Sequence, residues 1–216
     1  MIKFIYVFFM LCVITLPLGA VDFVEVQVTN DGGVYHIKII AEVDASAEYV
    51  YRVLTDYNHI YRLNPSITES EILPSPGYGV VRVRTRVEDC TSIVCVDLNR
   101  VEDVNELPPN VLQMVIVPSL SNIRSGNAKW KIEDMEDYTE IVYQARLEPD
   151  FNIFPIVGSA ILKRKLSQEI MTSMAMIECI AKIQEELDWD LNHHVASDDD
   201  VDACAKCDPD TDQCQP

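Results

Sequence analysis

From Val157 to Leu187 the chain reads VGSAILKRKLSQEIMTSMAMIECIAKIQEEL, a stretch without a proline. Within it Leu162, Leu166, Ile170, Met174, Ile177, Ala181, Gln184 and Leu187 fall three or four apart. That spacing places them on one side of an α-helix. At 1.5 Å per residue the helix is ~45 Å long, enough to run across an entire sheet. A long apolar stripe needs a matching surface to bury it, so the fold turns on what the preceding chain supplies.

It supplies strands. Val24, Val26 and Val28 alternate with polar residues before Gly32-Gly33, and Tyr35, Ile37 and Ile39 do so after it, which reads as a β-hairpin over 21–43. Further strands are expected over Ile67–Leu73, Val80–Glu88, Ser92–Asp103, Val111–Val117, Ala128–Glu133 and Thr139–Leu147. The residues between them are turn formers: Pro74-Ser75-Pro76-Gly77, Glu88-Asp89-Cys90, Leu107-Pro108-Pro109-Asn110, Ser125-Gly126-Asn127 and Met135-Glu136-Asp137. Short connections favour an antiparallel meander. Alternation gives it one apolar face: Ala128, Trp130 and Ile132 oppose Lys129, Lys131 and Glu133, and Thr139, Ile141, Tyr143, Ala145 and Leu147 form the same face on the next strand. The long helix is the cover for that face.

Between the hairpin and the meander, Asp44 and Ser46 offer cap oxygens ahead of Ala47–Leu54, whose apolar residues are helically spaced. A second short helical piece over 56–61 ends near Asn64-Pro65, because the residue before a proline is pushed out of the helical region. The class is therefore α+β: a curved antiparallel sheet wrapped around a long C-terminal helix, with two short helices after the first strands.

The stretch Val43-Asp44-Ala45-Ser46-Ala47-Glu48-Tyr49-Val50-Tyr51-Arg52-Val53-Leu54-Thr55-Asp56-Tyr57, followed by Tyr61 and Pro65, resembles the opening of the START-like (SRPBCC) helix-grip superfamily. Its bacterial branch includes polyketide cyclase and coenzyme Q-binding relatives. The resemblance runs from about Tyr35 to Leu187, with Leu63 where many members carry Trp. It implies a cavity between sheet and helix that takes a lipid, quinone, polyketide or other apolar molecule. It brings no universal catalytic motif, since members range from carriers to enzymes, and no cofactor is expected.

The chain's ends bear on location. Lys3 precedes an apolar run from Phe4 to Leu16 and then Pro17, Leu18, Gly19 and Ala20, the layout of a signal peptide cleaved after Ala20. An uncleaved membrane anchor is the rival. Residues 21–190 are then the ligand-binding domain of an exported protein, periplasmic or secreted, and 191–216 an acidic tail. From Asp188 onward nine aspartates face one basic residue, Lys206. Such a segment has too little apolar surface to fold alone. The whole chain carries a net charge of −18, which excludes nucleic acid as a partner because a phosphate backbone needs a basic surface. A hydrophobic small molecule is the expected partner, and a transient membrane contact is compatible with it. Oligomeric state is not legible.

The expected lining is Leu112, Met114, Ile116, Trp130 and Tyr143 from the sheet with Ile170, Met174 and Ile177 from the helix. The strand members depend on parity, since a one-residue slip sends each to the other face. Met171, Met174 and Met176 offer an adaptable surface, against ordinary core packing. Arg124, in the expected loop 119–124, has reach toward a polar ligand end, against ordinary solvation. Phe151 and Phe154 either close the mouth or simply link into the helix. Arg82, Arg84 and Arg86 share one strand face and are expected to meet acids such as Asp97 and Asp103 on the solvent side.

No hydrolytic or redox constellation surrounds His36, His59, His193 or His194, and no catalytic residue is assigned. Cys90 and Cys95 bracket a strand bend and are expected to form a disulfide. Cys204, Cys207 and Cys214 have a spacing that zinc also uses, but export favours disulfides, with Cys179 available if it faces out of the helix. Asp208, Asp210 and Asp212 begin a calcium-loop pattern that lacks its glycine and its final Glu, so no metal is expected. The leading reading is an apolar-ligand carrier or sequestering protein of the cell envelope. A cyclase or aromatase-type enzyme is the alternative, with several satisfied polar groups deep in its cavity, and an interaction module with a filled core is the third.

Overall fold

The computed structural model describes residues 21–90, 95–107, 110–150 and 158–191, with Cys204, Cys207–Asp208 and Gln213–Cys214. At 89–90, 95–96, 158–162, 188–191, 207–208 and 213–214 the description is of backbone alone. The first hairpin forms where alternation places it: β1 (Asp22–Asp31) pairs antiparallel with β2 (Val34–Val43). Gly32 and Gly33 join them at φ 59° and 96°. Two consecutive positive φ values give the turn whose twist matches its strands, and only glycine adopts them without strain.

Helix α1 (Ala47–Thr55) follows, and then a 3-10 turn (Ile60–Leu63). The meander comprises β3 (Ile67–Leu73), β4 (Val80–Cys90), β5 (Cys95–Leu107), β6 (Val111–Ile116), β7 (Ile123–Asp134) and β8 (Thr139–Pro149). Helix α2 (Gly158–Leu191) closes the fold. The sheet order is β1-β2-β8-β7-β6-β5-β4-β3, every pairing antiparallel. The crossover from β2 to β3 carries α1 to the inner face of the sheet, beside α2.

The structure corrects the sequence reading at β7. Ser125-Gly126-Asn127 is not a turn; the strand begins at Ile123, with a register shift between Ile123 and Ser125. A β-carbon on Gly126 would sit 2.8 Å from Ile116 Cγ1 on the neighbouring strand. Glycine is there for close approach between strands, the other use of a residue that usually marks a turn. The second short helical piece also starts later than expected, at Ile60 rather than near Asp56. His59 Nδ1 lies 2.7 Å from the Asp56 carboxylate and Asp56 O accepts from His59 N, which makes 56–59 a separate tight turn.

The hydrophobic core lies between the inner face of β2, β8 and β7 and the two helices. Ile39, Ala41, Val43, Val50, Ile141, Met174 and Ala181 are fully buried there. Carboxylates of α2 hold the chain entering α1: Glu178 accepts from Asp44 N at 3.1 Å, Glu185 accepts from Ser46 N at 3.2 Å, and Lys182 Nζ lies 2.6 Å from Asp44. Ser46 makes no side-chain cap bond, and these acids satisfy the amides of the two residues Asp44 and Ser46 that lead into the helix. Cys179 of α2 is bridged to Cys204, which is 3% exposed and belongs to the same core. The ladder β9 (Cys207–Asp208) with β10 (Gln213–Cys214) places Cys214 opposite Cys207.

On the outer face Arg82 makes two bonds to Asp103, at 2.7 and 2.8 Å, Arg84 pairs with Glu71, and Arg86 lies among Asp97, Glu88 and Glu69. The three arginines are structural surface pairs, as their alternation implied. Exposed pairs of this kind stabilise by at most about 1 kcal/mol each.

Candidate ligand-binding site

The space between the sheet and α2 is unevenly filled. Toward the N-terminal half of α2 the facing strands carry small residues: Ala128 on β7 stands opposite Ala145 on β8, with Gly126 just before it. Side chains this short do not reach the helix. Leu166, Ile170 and Ile177 of α2 cover them from above, and a cavity of about 240 Å³ remains. That is slightly below the ~300–1,000 Å³ usual for sites that bury drug-sized molecules, so it suits a small one.

One wall is aromatic. Trp130 and Tyr143 are register partners on β7 and β8, their ring centroids 4.3 Å apart and their planes inclined at 41°. The wall beside it is polar, which the sequence analysis did not foresee. Leu98, Arg100 and Glu102 on β5 point inward. Arg100 Nε donates to Thr85 Oγ1 at 3.0 Å and lies 3.2 Å from Glu102 Oε2. Thr85 is 2% and Glu102 8% exposed. A charge this deep survives only when paired, and this one is.

Opposite, Asn64 ties the 3-10 turn to the helix. Its Nδ2 donates to Glu169 O at 2.9 Å and to Ser173 Oγ at 3.2 Å, while its Oδ1 accepts from Ser66 N at 2.8 Å. All three partners line the cavity, so Asn64 fixes the separation of its two sides. Burial pushes the Tyr143 hydroxyl up to about 12, with Arg100 pulling it down and Glu102 raising it. Tyr143 therefore stays protonated, a donor, at any neutral pH. Beyond the cavity Tyr51 and Tyr57 both donate to Glu106, at 3.0 and 2.9 Å. Burial and that shared carboxylate push Tyr51 up to about 12 and raise Tyr57 as well.

Of the residues singled out from the sequence, Ile116, Trp130, Tyr143, Ile170 and Ile177 are brought together on the cavity wall. Leu112 and Met174 are not; both are wholly buried in the packed core. Met114 packs against that core, off the wall. Arg124 belongs to β7, not to a loop, and its guanidinium is spent on the outside, 3.2 Å from Glu148 and 3.0 Å from Asp150. Phe151 and Phe154 lie outside the described residues. Cys90 and Cys95 are direct partners in the β4–β5 ladder, with their side chains outside the description. The polar residues Asn64, Arg100, Glu102, Asn127 and Glu169 of the wall, with Thr85 bonded to Arg100, were missed. For Arg100 and Glu102 the only sequence signal was a strand, 97–105, whose two faces are equally charged.

A family model described as "Polyketide cyclase / dehydrase and lipid transport" matches residues 25–179, well over half of the 216-residue chain. The chain belongs to this family. Among solved structures, this polyketide cyclase and lipid transport family member is similar to a START superfamily protein from Mycobacterium smegmatis, at 19% identity and a TM-score of 0.53, over 70% of this chain and 98% of that one. It is similar to the Zhui aromatase/cyclase from Streptomyces sp. R1128, at 17% identity and 0.52, over 75% and 99%. A STAR-related lipid transfer protein from Xanthomonas axonopodis aligns at 13% identity and 0.53, over 73% and 98%. At these identities the likeness is one of fold, and it is the helix-grip fold. No curated protein matches the chain in sequence.

Proposed function

We propose that the protein binds a small apolar molecule in the cavity between the sheet and α2, as a carrier or sequestering protein of the cell envelope. The observation that carries this reading is the cavity itself: about 240 Å³ lined in part by Trp130, Tyr143, Ile170 and Ile177, in a family whose fold takes hydrophobic ligands. It speaks against a filled core. Export rests on the sequence before Val21, with cleavage after Ala20, and an oxidising compartment fits a disulfide between Cys90 and Cys95, which the ladder sets opposite each other.

A second reading, an enzyme of the cyclase or aromatase kind, is favoured by one observation. The paired polar group of Thr85, Arg100 and Glu102 beside Tyr143 is what orienting a reactive intermediate requires and more than an apolar carrier needs. The test is to purify the protein from its native compartment, unfold it, and search by mass spectrometry for a molecule released in stoichiometric amount. Ile170→Arg, on the cavity wall, is the control; Met174→Arg would instead break the core. An apolar molecule released unchanged after prolonged incubation, and missing from the variant, supports the carrier. Its conversion to a second product supports the enzyme. Equal recovery from the variant overturns both.

A further inference from the structure

The seven cysteines of the chain are Cys12, Cys90, Cys95, Cys179, Cys204, Cys207 and Cys214. Cleavage after Ala20 removes Cys12, and an odd number becomes even. Of the six that remain, Cys179 and Cys204 are bridged. The other four are register partners: Cys90 stands opposite Cys95 in the β4–β5 ladder, and Cys207 opposite Cys214 in the β9–β10 ladder. Direct partners in an antiparallel ladder have Cα atoms about 4.5 or 5.5 Å apart, and a disulfide takes about 4.4–6.8 Å. The six sort into three pairs with none left over.

The tail pair has the strongest need of a bond. β9 and β10 have two residues each, and an isolated two-stranded ladder is marginal in water even when it is much longer. Between its two cysteines lie Asp208, Asp210 and Asp212 with no basic residue, and a segment so charged and so poor in apolar side chains does not fold alone. A covalent link between Cys207 and Cys214 supplies what the hydrogen bonds do not, by removing the open conformations of the loop between them. Cys204 cannot compete for Cys207, because it is already joined to Cys179 and is buried in the core. Zinc would require Cys207 and Cys214 as thiolates together with two further ligands, and in an oxidising compartment the disulfide forms instead.

Resting on the export reading above, we propose that the mature chain carries three disulfides and no free thiol: Cys90–Cys95, Cys179–Cys204 and Cys207–Cys214, the last closing the acidic tail into a ring. Each bridge forms as two thiols give up two protons and two electrons to a disulfide oxidant of that compartment, which leaves as a dithiol. The tail is then tied twice. Cys204 fixes it to the packed end of α2, and three residues further on the ring begins that carries Asp208, Asp210 and Asp212.

The test takes the protein purified from its native compartment, blocks free thiols with iodoacetamide in denaturant, and digests it with trypsin without reduction. Lys165, Lys182 and Lys206 divide the tail cysteines so that each pairing gives a different product by mass spectrometry. The expected products are 166–182 joined to 183–206, and 207–216 released alone and about 2 Da lighter than its dithiol form, two hydrogens per bridge, with 87–100 lighter by the same amount. The N-terminal peptide should begin at Val21. Peptide 207–216 with two blocked thiols, as zinc binding would also leave it, overturns the tail bridge while the export reading stands. So does 207–216 joined to 183–206 or to a second copy of itself. A peptide beginning at Met1 together with blocked thiols at all six positions overturns the export reading and this inference with it. Cys214→Ser should leave one blocked thiol, at Cys207, with the other two bridges in place; loss of the Cys179–Cys204 link in that variant would show that the pairs interchange and overturn the assignment.

Discussion

The two ends of the space between sheet and helix are built from one helical stripe and end differently. From Met174 at its middle into the C-terminal half of α2, Met174, Ile180 and Ala181 belong to one packed core with Val43, Val50 and Ile141, and that half is fastened by Glu178, Glu185, Lys182 and the Cys179–Cys204 bridge. At the N-terminal half, Leu166 and Ile170 meet Gly126, Ala128 and Ala145 across a gap, and a polar wall replaces the aliphatic one. The helix does not decide which end is hollow. The opposing strands do, through the length of their side chains.

Five substitutions probe that contrast. The largest effect is expected from the packed end. Met174→Ala should cost about 3 kcal/mol by urea denaturation, because rigid neighbours leave a cavity behind, whereas Ile170→Ala, whose side chain already borders a void, should cost only about 1 kcal/mol. Equal losses at the two sites would remove the distinction between the ends.

Next is an alkaline effect at the hollow end. Folded Tyr143 keeps its proton up to about 12, whereas the unfolded phenol ionises near 10.0. The unfolded state thus loses its proton first, and folding weakens as pH rises between those values, on the order of 2 kcal/mol by the upper one. Below pH 10 the group contributes nothing to this dependence. Tyr143→Phe should remove that share of the alkaline loss, leaving the share due to Tyr51 and Tyr57, which a stability series from pH 8 to 12 would resolve.

Filling the hollow should help the fold and harm its use. Ala128→Leu places added carbon in the cavity, and a gain of about 1 kcal/mol together with loss of apolar-probe binding is expected. A loss of stability would mean that the gap is narrower than described.

The smallest effect sharpens the account of the fastened end. Burial raises the Glu178 carboxyl above 4.5, opposed by the Asp44 amide and Lys182. A raised acid is a burden on the folded state at neutral pH, relieved as pH falls through the folded value toward 4.5. Glu178→Gln keeps an acceptor for Asp44 N and should stabilise by about 0.5 kcal/mol at pH 7, with the gain vanishing near pH 4.5.

The layout was legible because it follows periodicity. The stripe from Leu162 to Leu187, the Gly32-Gly33 turn and the alternation over 128–147 each admit one assignment, and together they require a sheet under a helix. The site was legible only in part. Residues 97–105 alternate Leu98, Arg100, Glu102 and Val104 against Asn99, Val101, Asp103 and Asn105, so neither face announces itself as inner. Val101, on the face opposite Arg100 and Glu102, is 1% exposed, and Ser121, in the connection after β6, bonds its backbone. Gly126 was read as a turn because sequence does not show the Ile116 side chain that crowds it. Met174 was read as lining because a stripe tells which side of a helix is covered, not where along it the cover stands off, and Leu112 because alternation tells which face of a strand is inner, not what fills the space above it.

The most direct test of the central claim is an electron-density map of the protein purified from its native host. The account requires density for a bound molecule between Trp130, Tyr143 and Ile177. Trp130 and Ile177 packed against each other, with the 240 Å³ closed, would contradict it.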